Sequence, residues 1–205
     1  MAKIAESFIC RFFYDHFCDI IDKNQFGSTK NRSTTHALIK FSHELLSASD
    51  NSDNIIRALF VDFAKAFDLV DHNVLMQKMI DYDFPPQVTS WSLSFLQDRE
   101  QFVKINNCLS SVTRINSGCP QGTLSGPNNF KLLINDLRFR LSYIKYVDDT
   151  SVVSVSNDPN DNSLQLSLNE LADWCTANTM RINTVKTKEM VVFLESNLMR
   201  LGCPF

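Results

Sequence analysis

Leu59-Phe60-Val61-Asp62-Phe63 and Tyr146-Val147-Asp148-Asp149-Thr150 are the two stretches that decide the fold. Each is an apolar run typical of a buried strand, with one or two aspartates at its end. Two such strand ends lying side by side would bring the aspartates together. Carboxylates at close range repel and raise one another's pKa unless cations neutralise them.

The type of these side chains points to a metal site. Carboxylate oxygens are the ligands that Mg²⁺ and Mn²⁺ prefer. Two such ions about 3.5–4 Å apart can hold the attacking and leaving oxygens of a phosphoryl transfer. Each motif alone has an ordinary explanation, because Asp62 could be a capping or salt-bridged residue and Asp148-Asp149 a hairpin turn. Their combination favours a two-metal nucleotidyl-transfer site with Asp62, Asp148 and Asp149 as ligands.

Composition limits the class of protein. The chain has 205 residues, of which 44% are hydrophobic, which is enough for one domain or one domain with a small annex. A net charge of −3 argues against strong autonomous binding of nucleic acid. The six cysteines are scattered and form no C-x-x-C pair, which disfavours zinc and a disulfide framework and favours an intracellular setting, nucleus or cytoplasm. Charges interrupt the apolar stretch at 8–21, so we expect no membrane span.

Hydrophobic periodicity predicts an α+β fold, a small antiparallel sheet with helices packed on one face. The predicted helices are 8–21, 33–47, 71–80, 85–96, 128–140 and 164–175. The predicted strands are 55–63, a hairpin over 103–112, 143–147, 151–155 and 190–193. Asp71 and Ser33 are predicted N-caps, and a tight turn is predicted at Asp148-Asp149.

Six further residues are open to two interpretations. Phe67 is either a core aromatic or a ring against the sugar of an incoming nucleotide. Gln121-Gly122 is an ordinary loop or a surface for the nascent base pair. Lys186 is a solvated lysine or a group that assists the leaving pyrophosphate. Lys30 and Arg32 are solvated loop charges or ligands of a triphosphate.

The order of several motifs resembles the reverse transcriptase domain of non-LTR (LINE-like) retrotransposons. The similarity covers about residues 3–194, and collinear motifs are far more specific than any one of them. The residues that carry it are Gln25-Phe26-Gly27, Arg32 to Leu38, Val61 to Asp68, Val70-Asp71-His72, Ser117 to Thr123, Gly126-Pro127, Ile134 to Leu137, Tyr146 to Thr150, Asn183, Lys186-Thr187 and Val191 to Phe193.

This resemblance implies a right-hand polymerase palm with partial fingers and without the thumb. Residues 1–54 would be partial fingers and 55–205 the palm, with fingers-type elements interspersed at 85–115. The implied reaction copies an RNA template into DNA from a DNA primer and dNTPs, using two Mg²⁺ ions for which Mn²⁺ is a possible substitute.

The resemblance also implies residue roles. Asp62, Asp148 and Asp149 would hold metal, with help from the backbone carbonyl of Phe63. Phe67 would select deoxynucleotides, and Gln121 and Gly122 would line the nucleotide and template site. Lys186 matches the late-palm lysine of the family.

The chain departs from the family pattern in several places. Ser28-Thr29 replaces a common Phe-Arg, Val147 replaces a usual alanine, and Ser125, Asn128 and Asn129 stand where apolar residues are preferred. We therefore expect a loosened helix after Gly122. The alternative function is a truncated, catalytically silent retroelement remnant that acts at most as a binding domain. A palm-type nucleotidyl cyclase is disfavoured by Phe67 and Gln121-Gly122.

Overall fold

The computed structural model describes residues 2–192. Two compact units emerge from the pattern of backbone contacts. Unit 1 comprises the chain up to Ile21 together with Lys65–Ile134, and unit 2 comprises Asp22–Ala64 and the chain from Asn135 onward. The predicted boundary between fingers and palm at residues 54 and 55 is a different division, and it stays a prediction.

The described residues contain both helices and strands, as the hydrophobic periodicity predicts. The helices are α1 (Ala2–Phe17), α2 (Thr34–Ser49), α3 (His72–Asp81), α4 (Pro86–Leu96), α5 (Ser125–Leu133) and α6 (Ser163–Ala177). The strands are β1 (Ile55–Val61), β2 (Arg99–Gln101), β3 (Lys104–Ile105), β4 (Cys108–Leu109), β5 (Thr113–Ile115), β6 (Ser142–Tyr146), β7 (Asp149–Ser156) and β8 (Lys188–Val192). The α+β class predicted from the sequence is confirmed.

Unit 2 is built on an antiparallel sheet with the strand order β6-β7-β1-β8. Ile56 and Ala58 of β1, Val153 of β7 and Ala48 of α2 form a buried apolar cluster. Phe41 of α2 packs against this cluster, so the helix covers that face of the sheet. The β1 strand is buried along most of its length, which fits its nearly continuous apolar sequence.

Unit 1 packs α1, α3, α4 and α5 together. Phe13 and Phe17 of α1 contact Phe84, with ring centroids 4.7 and 6.0 Å from that ring. The predicted hairpin over 103–112 is present as β3 and β4, and β2 and β5 form a second two-stranded ladder outside it. Among residues 2–192, no helix is long and apolar enough to cross a membrane.

Local capping follows the predicted chemistry at two helices. The Ser33 side chain accepts a hydrogen bond from the His36 amide at the start of α2. The Asp71 carboxylate accepts from the amides of Asn73 and Val74 at the start of α3. Both N-cap predictions are confirmed.

The predicted helix over 128–140 was wrong at both ends, because α5 begins at Ser125 and ends at Leu133. The Glu6 carboxylate, 3% exposed, accepts hydrogen bonds from the Ser125 amide (2.9 Å) and hydroxyl (2.8 Å). The buried Lys78 ammonium donates to the Leu133 carbonyl at 2.7 Å and so caps the other end. Polar Ser125 is therefore satisfied inside the fold, and the expected loosening of this helix is not found there.

Other boundaries also differ from the predictions. The tight turn consists of Val147 and Asp148, and Asp149 is already the first residue of β7. Helix α1 ends at Phe17 rather than at residue 21. Strand β8 begins at Lys188 instead of residue 190, and its predicted last residue, Phe193, lies outside the described residues.

Candidate active site

The register of β1 against β7 brings the aspartates of the two motifs to one end of the sheet. Val61 lies opposite Thr150 in the last pair of the β1–β7 ladder, and Asp62 and Asp149 are the next residues beyond that pair on the two segments. Directly opposite residues of an antiparallel pair carry their side chains on the same face. Asp148 lies in the two-residue turn that joins Tyr146 to Asp149. The structure therefore brings Asp62, Asp148 and Asp149 together.

The electrostatics of Asp149 reflect this proximity. Partial burial raises the pKa of the Asp149 carboxyl, and the negative charges of Asp148 and then Asp62 raise it further. Within residues 2–192 the structure contains no group of three acidic, histidine or cysteine side chains already arranged around one metal position. The carboxylates are thus close enough to repel one another, and their role as metal ligands stays a prediction.

The segment 183–187 holds the backbone of Asp62 in place. The Asp62 carbonyl accepts a hydrogen bond from the Asn183 amide (2.8 Å), and its amide donates to the Thr187 hydroxyl (3.2 Å). The ammonium of Lys186 lies 4.0 Å from the Asp62 carboxylate on an exposed side chain. Lys186 is therefore placed beside the acidic cluster.

Phe63 follows Asp62 and is buried. It pairs with Ile182 through hydrogen bonds that use the carbonyl of Asp62 and the amide of Ala64. The carbonyl oxygen of Phe63 takes part in neither of these hydrogen bonds.

Lys30 and Arg32 have different environments within unit 2. Lys30 is exposed. The Arg32 guanidinium donates from one nitrogen to the carbonyls of Asp22 (3.1 Å), Lys23 (2.8 Å) and Gln25 (2.6 Å). Part of this guanidinium therefore holds the chain at 22–25, and only its remaining N–H groups could reach a phosphate.

The predicted residues Phe67, Gln121 and Gly122 belong to unit 1. The half-buried Phe67 ring stacks on Phe130 at 4.8 Å between centroids. The Cys119 amide donates to the Phe67 carbonyl at 2.8 Å, which ties the loop before Gln121 to the segment that carries Phe67. Gln121 and Gly122 are exposed, and Gly122 has φ +74°, which suits glycine. The segment that carries Phe67 and the loop that carries Gln121 therefore lie next to each other, although they are far apart in sequence.

A groove of about 630 Å³ in unit 1 lies beside this loop. Gln121, Arg99 and Arg114 are among its lining residues, together with Asp68 and Glu100. Arg114 lies 3.6 Å from the Glu100 carboxylate, so part of the positive charge is already balanced.

Gln25 is a site residue that the residue-level reasoning missed. It lies beside β6, where the Phe26 amide donates to the Lys145 carbonyl at 2.7 Å. The Gln25 side chain is buried and hydrogen-bonds the backbone of Val147 in the turn. Glutamine in an N-terminal loop carries no local signal for such a contact, and only the family motif singled it out.

The sequence-based reasoning also missed a buried cluster of charged side chains in unit 2. The Lys145 ammonium, 0% exposed, lies 2.7 Å from the Asp22 carboxylate and donates to the Leu137 carbonyl at 3.0 Å. The hydroxyl of Tyr143 and the guanidinium of Arg138 also contact the Asp22 carboxylate. Burial lowers the pKa of Lys145 to about 8. Burial alone would raise the pKa of Asp22, but the charge and hydrogen bond of Lys145, the hydrogen bond from the Asn24 amide and the charge of Arg138 together outweigh it and lower that pKa.

The turn that carries Asp148 includes a residue with a strained backbone. Val147 has φ +59°, a left-handed conformation that a β-branched residue rarely adopts. Such a conformation costs on the order of 1–3 kcal/mol and persists only where the surroundings impose it. The turn that carries Asp148 is therefore held in place by its neighbours.

A family model described as "Reverse transcriptase (RNA-dependent DNA polymerase)" matches residues 2–204. The chain belongs to the reverse transcriptase family. It is 28% identical over 201 residues to the probable RNA-directed DNA polymerase from transposon BS of Drosophila melanogaster, covering 91% of this chain and 22% of that protein. It is 30% identical over 178 residues to the RNA-directed DNA polymerase from mobile element jockey of the same organism, covering 81% and 19%. These matches identify a LINE-like reverse transcriptase domain that spans about a fifth of the length of these curated relatives.

Solved structures support the polymerase palm fold. Apo telomerase from Candida tropicalis is similar with a TM-score of 0.69 at 12% identity, over 90% of this chain and 36% of that one. Telomerase from Candida albicans in complex with a fragment of telomeric RNA is similar with a TM-score of 0.61 at 14% identity, over 95% and 35%. The predicted α+β palm fragment is confirmed, and the silent-remnant alternative is not favoured.

Proposed function

We propose that this domain catalyses RNA-directed DNA synthesis, in which a primer 3′-hydroxyl attacks the α-phosphate of a dNTP on an RNA template and releases pyrophosphate. The observation that carries the proposal is the convergence of Asp62, Asp148 and Asp149 at one end of the β1–β7 pair. The polymerase family of the chain supports the same reaction.

The donor set of this site suits divalent cations. The reverse transcriptase family generally uses divalent metals, and we propose two Mg²⁺ ions here, with Mn²⁺ as a possible substitute. Partial burial and then the negative charges of Asp148 and Asp62 raise the pKa of Asp149, and a cation between the carboxylates would relieve the repulsion. Asp62, Asp148 and Asp149 would be the ligands, with the Phe63 carbonyl assisting. When bound, such ions lower the pKa of the attacking hydroxyl and neutralise the triphosphate.

The remaining predicted residues would position the substrates. Lys186 is exposed beside Asp62, where it could stabilise or protonate the departing pyrophosphate. Lys30 and the remaining N–H groups of Arg32 are proposed to attract the triphosphate. The groove beside Gln121 and Gly122 supports a template site, because Arg99 and Arg114 could contact the phosphates of the template.

Phe67 is proposed to discriminate against ribonucleotides. A large ring next to the sugar crowds a 2′-hydroxyl. Stacking on Phe130 holds the Phe67 ring in one orientation. A Phe67→Val variant should therefore incorporate ribonucleotides more readily relative to dNTPs, measured by single-nucleotide extension. An unchanged preference would contradict this role.

Residues 1–54 are proposed to be fingers and 55–205 palm, with fingers-type elements at 85–115. Because the proposed template, primer and dNTPs are intracellular, we propose an intracellular location, nuclear or cytoplasmic.

Primer extension on an RNA template with Mg²⁺ tests the activity. The wild-type chain should extend the primer, and Asp148→Ala should lower the rate by about 10³-fold or more, or about 4 kcal/mol of transition-state stabilisation. Asp173→Ala, at an exposed position on α6, is the matched control and should extend like the wild type. Equal activity in Asp148→Ala and the wild type would refute the proposal, as would a wild-type chain that neither extends the primer nor binds Mn²⁺ in an electron paramagnetic resonance titration.

A further inference from the structure

The Gln25 side chain bridges two parts of the backbone at the aspartate turn. Its carbonyl oxygen accepts hydrogen bonds from the amides of Val147 and Gly27, both at 2.9 Å. Its amide nitrogen lies 3.4 Å from the Val147 carbonyl, to which it donates. The residue is 2% exposed, so these bonds form away from competing water.

Gly27 adds a close backbone approach to the same turn. A Cβ atom at Gly27 would lie 2.4 Å from the Val147 nitrogen and 2.8 Å from the Tyr146 carbonyl carbon. No side chain fits there without moving the turn. The segment 25–27 therefore contacts the turn both through a buried amide and through a bare backbone.

Val147, the residue that Gln25 contacts, has a strained backbone conformation. Val147 adopts φ +59°, and it immediately precedes Asp148. A strained conformation is maintained only when its neighbours fix it. The hydrogen bonds to both the amide and the carbonyl of Val147 supply that constraint.

We propose that Gln25 is a positioning residue that fixes the Val147-Asp148 turn, and with it the orientation of the Asp148 and Asp149 carboxylates toward divalent cations. This inference rests on the proposed metal-dependent function. Gln25 acts through the turn, and it contacts no substrate.

The size of the effect on metal affinity depends on the fraction of molecules in which the Val147-Asp148 turn adopts the conformation described above. When a ligand binds only one conformation, its apparent affinity falls in proportion to the population of that conformation. Loss of two buried hydrogen bonds should lower that population, and hence the affinity for Mn²⁺, by about 10- to 30-fold.

Two polar variants of Gln25 separate its reach from its polarity. Gln25→Asn is one methylene shorter and cannot hold both amides, whereas Gln25→Glu keeps the length and an accepting oxygen. Gln165→Asn, at an exposed position on α6, is the matched control. The measurements on the full 205-residue chain are the Mn²⁺ dissociation constant by electron paramagnetic resonance and the hydrogen exchange rate of the Val147 amide by NMR.

The expected result is weaker Mn²⁺ binding and at least about tenfold faster Val147 exchange in Gln25→Asn, with both restored toward wild type in Gln25→Glu and unchanged in Gln165→Asn. Wild-type values in Gln25→Asn would overturn the inference, and so would equal losses in the Asn and Glu variants. If Gln25→Asn does not fold, wild-type exchange decides: a Val147 amide as fast as that of exposed Asn107 overturns the inference, and a slow one supports it.

Asp148→Ala distinguishes failure of the proposed function from failure of this inference. If Asp148→Ala binds Mn²⁺ as tightly as the wild type, the proposed metal site is wrong, and the role of Gln25 in metal binding fails with it. If Asp148→Ala binds weakly while Gln25→Asn binds normally, the metal site stands and only the positioning role is overturned.

Discussion

Replacing Asp22 by asparagine removes the carboxylate that balances the buried charge of Lys145. The two side chains are 5% and 0% exposed, and their charged atoms lie 2.7 Å apart. Asparagine keeps an oxygen that can accept from the Asn24 amide, as Asp22 does now at 2.9 Å. The variant therefore removes charge with little change in shape.

The expected loss of stability is about 1–2 kcal/mol, less than the usual cost of about 3–5 kcal/mol for breaking a buried ion pair by removing one partner. Lys145 itself sets this ceiling, because a lysine whose charge is too costly can lose its proton instead. The pKa of Lys145 is already about 8 in the folded chain, so neutralising it at pH 7 costs only about 1.4 kcal/mol. The Leu137 carbonyl still accepts from Lys145, which favours the lower part of this range.

Urea unfolding followed by tryptophan fluorescence measures this loss. The chain has two tryptophans, and a Trp91→Phe background leaves Trp174 as a reporter in unit 2. Asp173→Asn, an exposed aspartate, is the control and should change the free energy of unfolding by less than about 0.5 kcal/mol. Adding Lys145→Met to Asp22→Asn should recover much of the loss, because no buried charge then lacks a partner.

The same pair predicts a pH dependence. The pKa of Asp22 is lowered in the folded chain, so its stabilising effect is complete above its unfolded pKa and disappears as the pH falls through the folded value. The difference between the wild type and Asp22→Asn should therefore shrink below about pH 4, where Asp22 becomes protonated. No loss of stability at pH 7, or a difference that grows below pH 4, would refute this account of the cluster.

Three other substitutions have defined outcomes in urea unfolding. Thr150→Val should raise the free energy of unfolding by about 1 kcal/mol, because the buried Thr150 hydroxyl has no hydrogen-bond partner within residues 2–192; a loss of stability would contradict this. Glu6→Gln should cost about 1–2 kcal/mol by removing the charge that caps α5 at Ser125, and no change would show that the cap is unimportant. Burial lowers the pKa of Lys131 to about 8 from 10.5, so between these pH values the unfolded chain binds more protons than the folded chain and stability rises with pH. Relative to Lys131→Met, the wild type should gain about 2–3 kcal/mol in free energy of unfolding from pH 7 to pH 10. A stability difference that does not change with pH would contradict the lowered pKa.

The sequence predicted those features that depend on local chemistry. Asp71 and Ser33 cap helices because their side chains bond amides two or three residues ahead, which is visible in the order of residues. The apolar run at 55–63 correctly indicated a buried strand, and the aspartates at the ends of two such runs do meet.

Features that depend on distant partners were not predictable in the same way. The limits of α5 are set by Glu6 and Lys78, which lie 119 and 55 residues away from the groups they bind. Asp favours turns in general, yet the turn falls one residue earlier, where Gln25 holds Val147. No local pattern announces such contacts.

Pairing of β1 with β7 has a consequence for how this site can vary. Successive residues of a strand face opposite sides of the sheet, so a slip of one position would turn Asp149 away from Asp62. The distance between the acidic groups is therefore set by the strand register, which can change only by whole residues and not gradually. Insertions or deletions inside either strand should abolish the site outright, whereas length changes in the exposed loop at 157–160 leave the alignment intact.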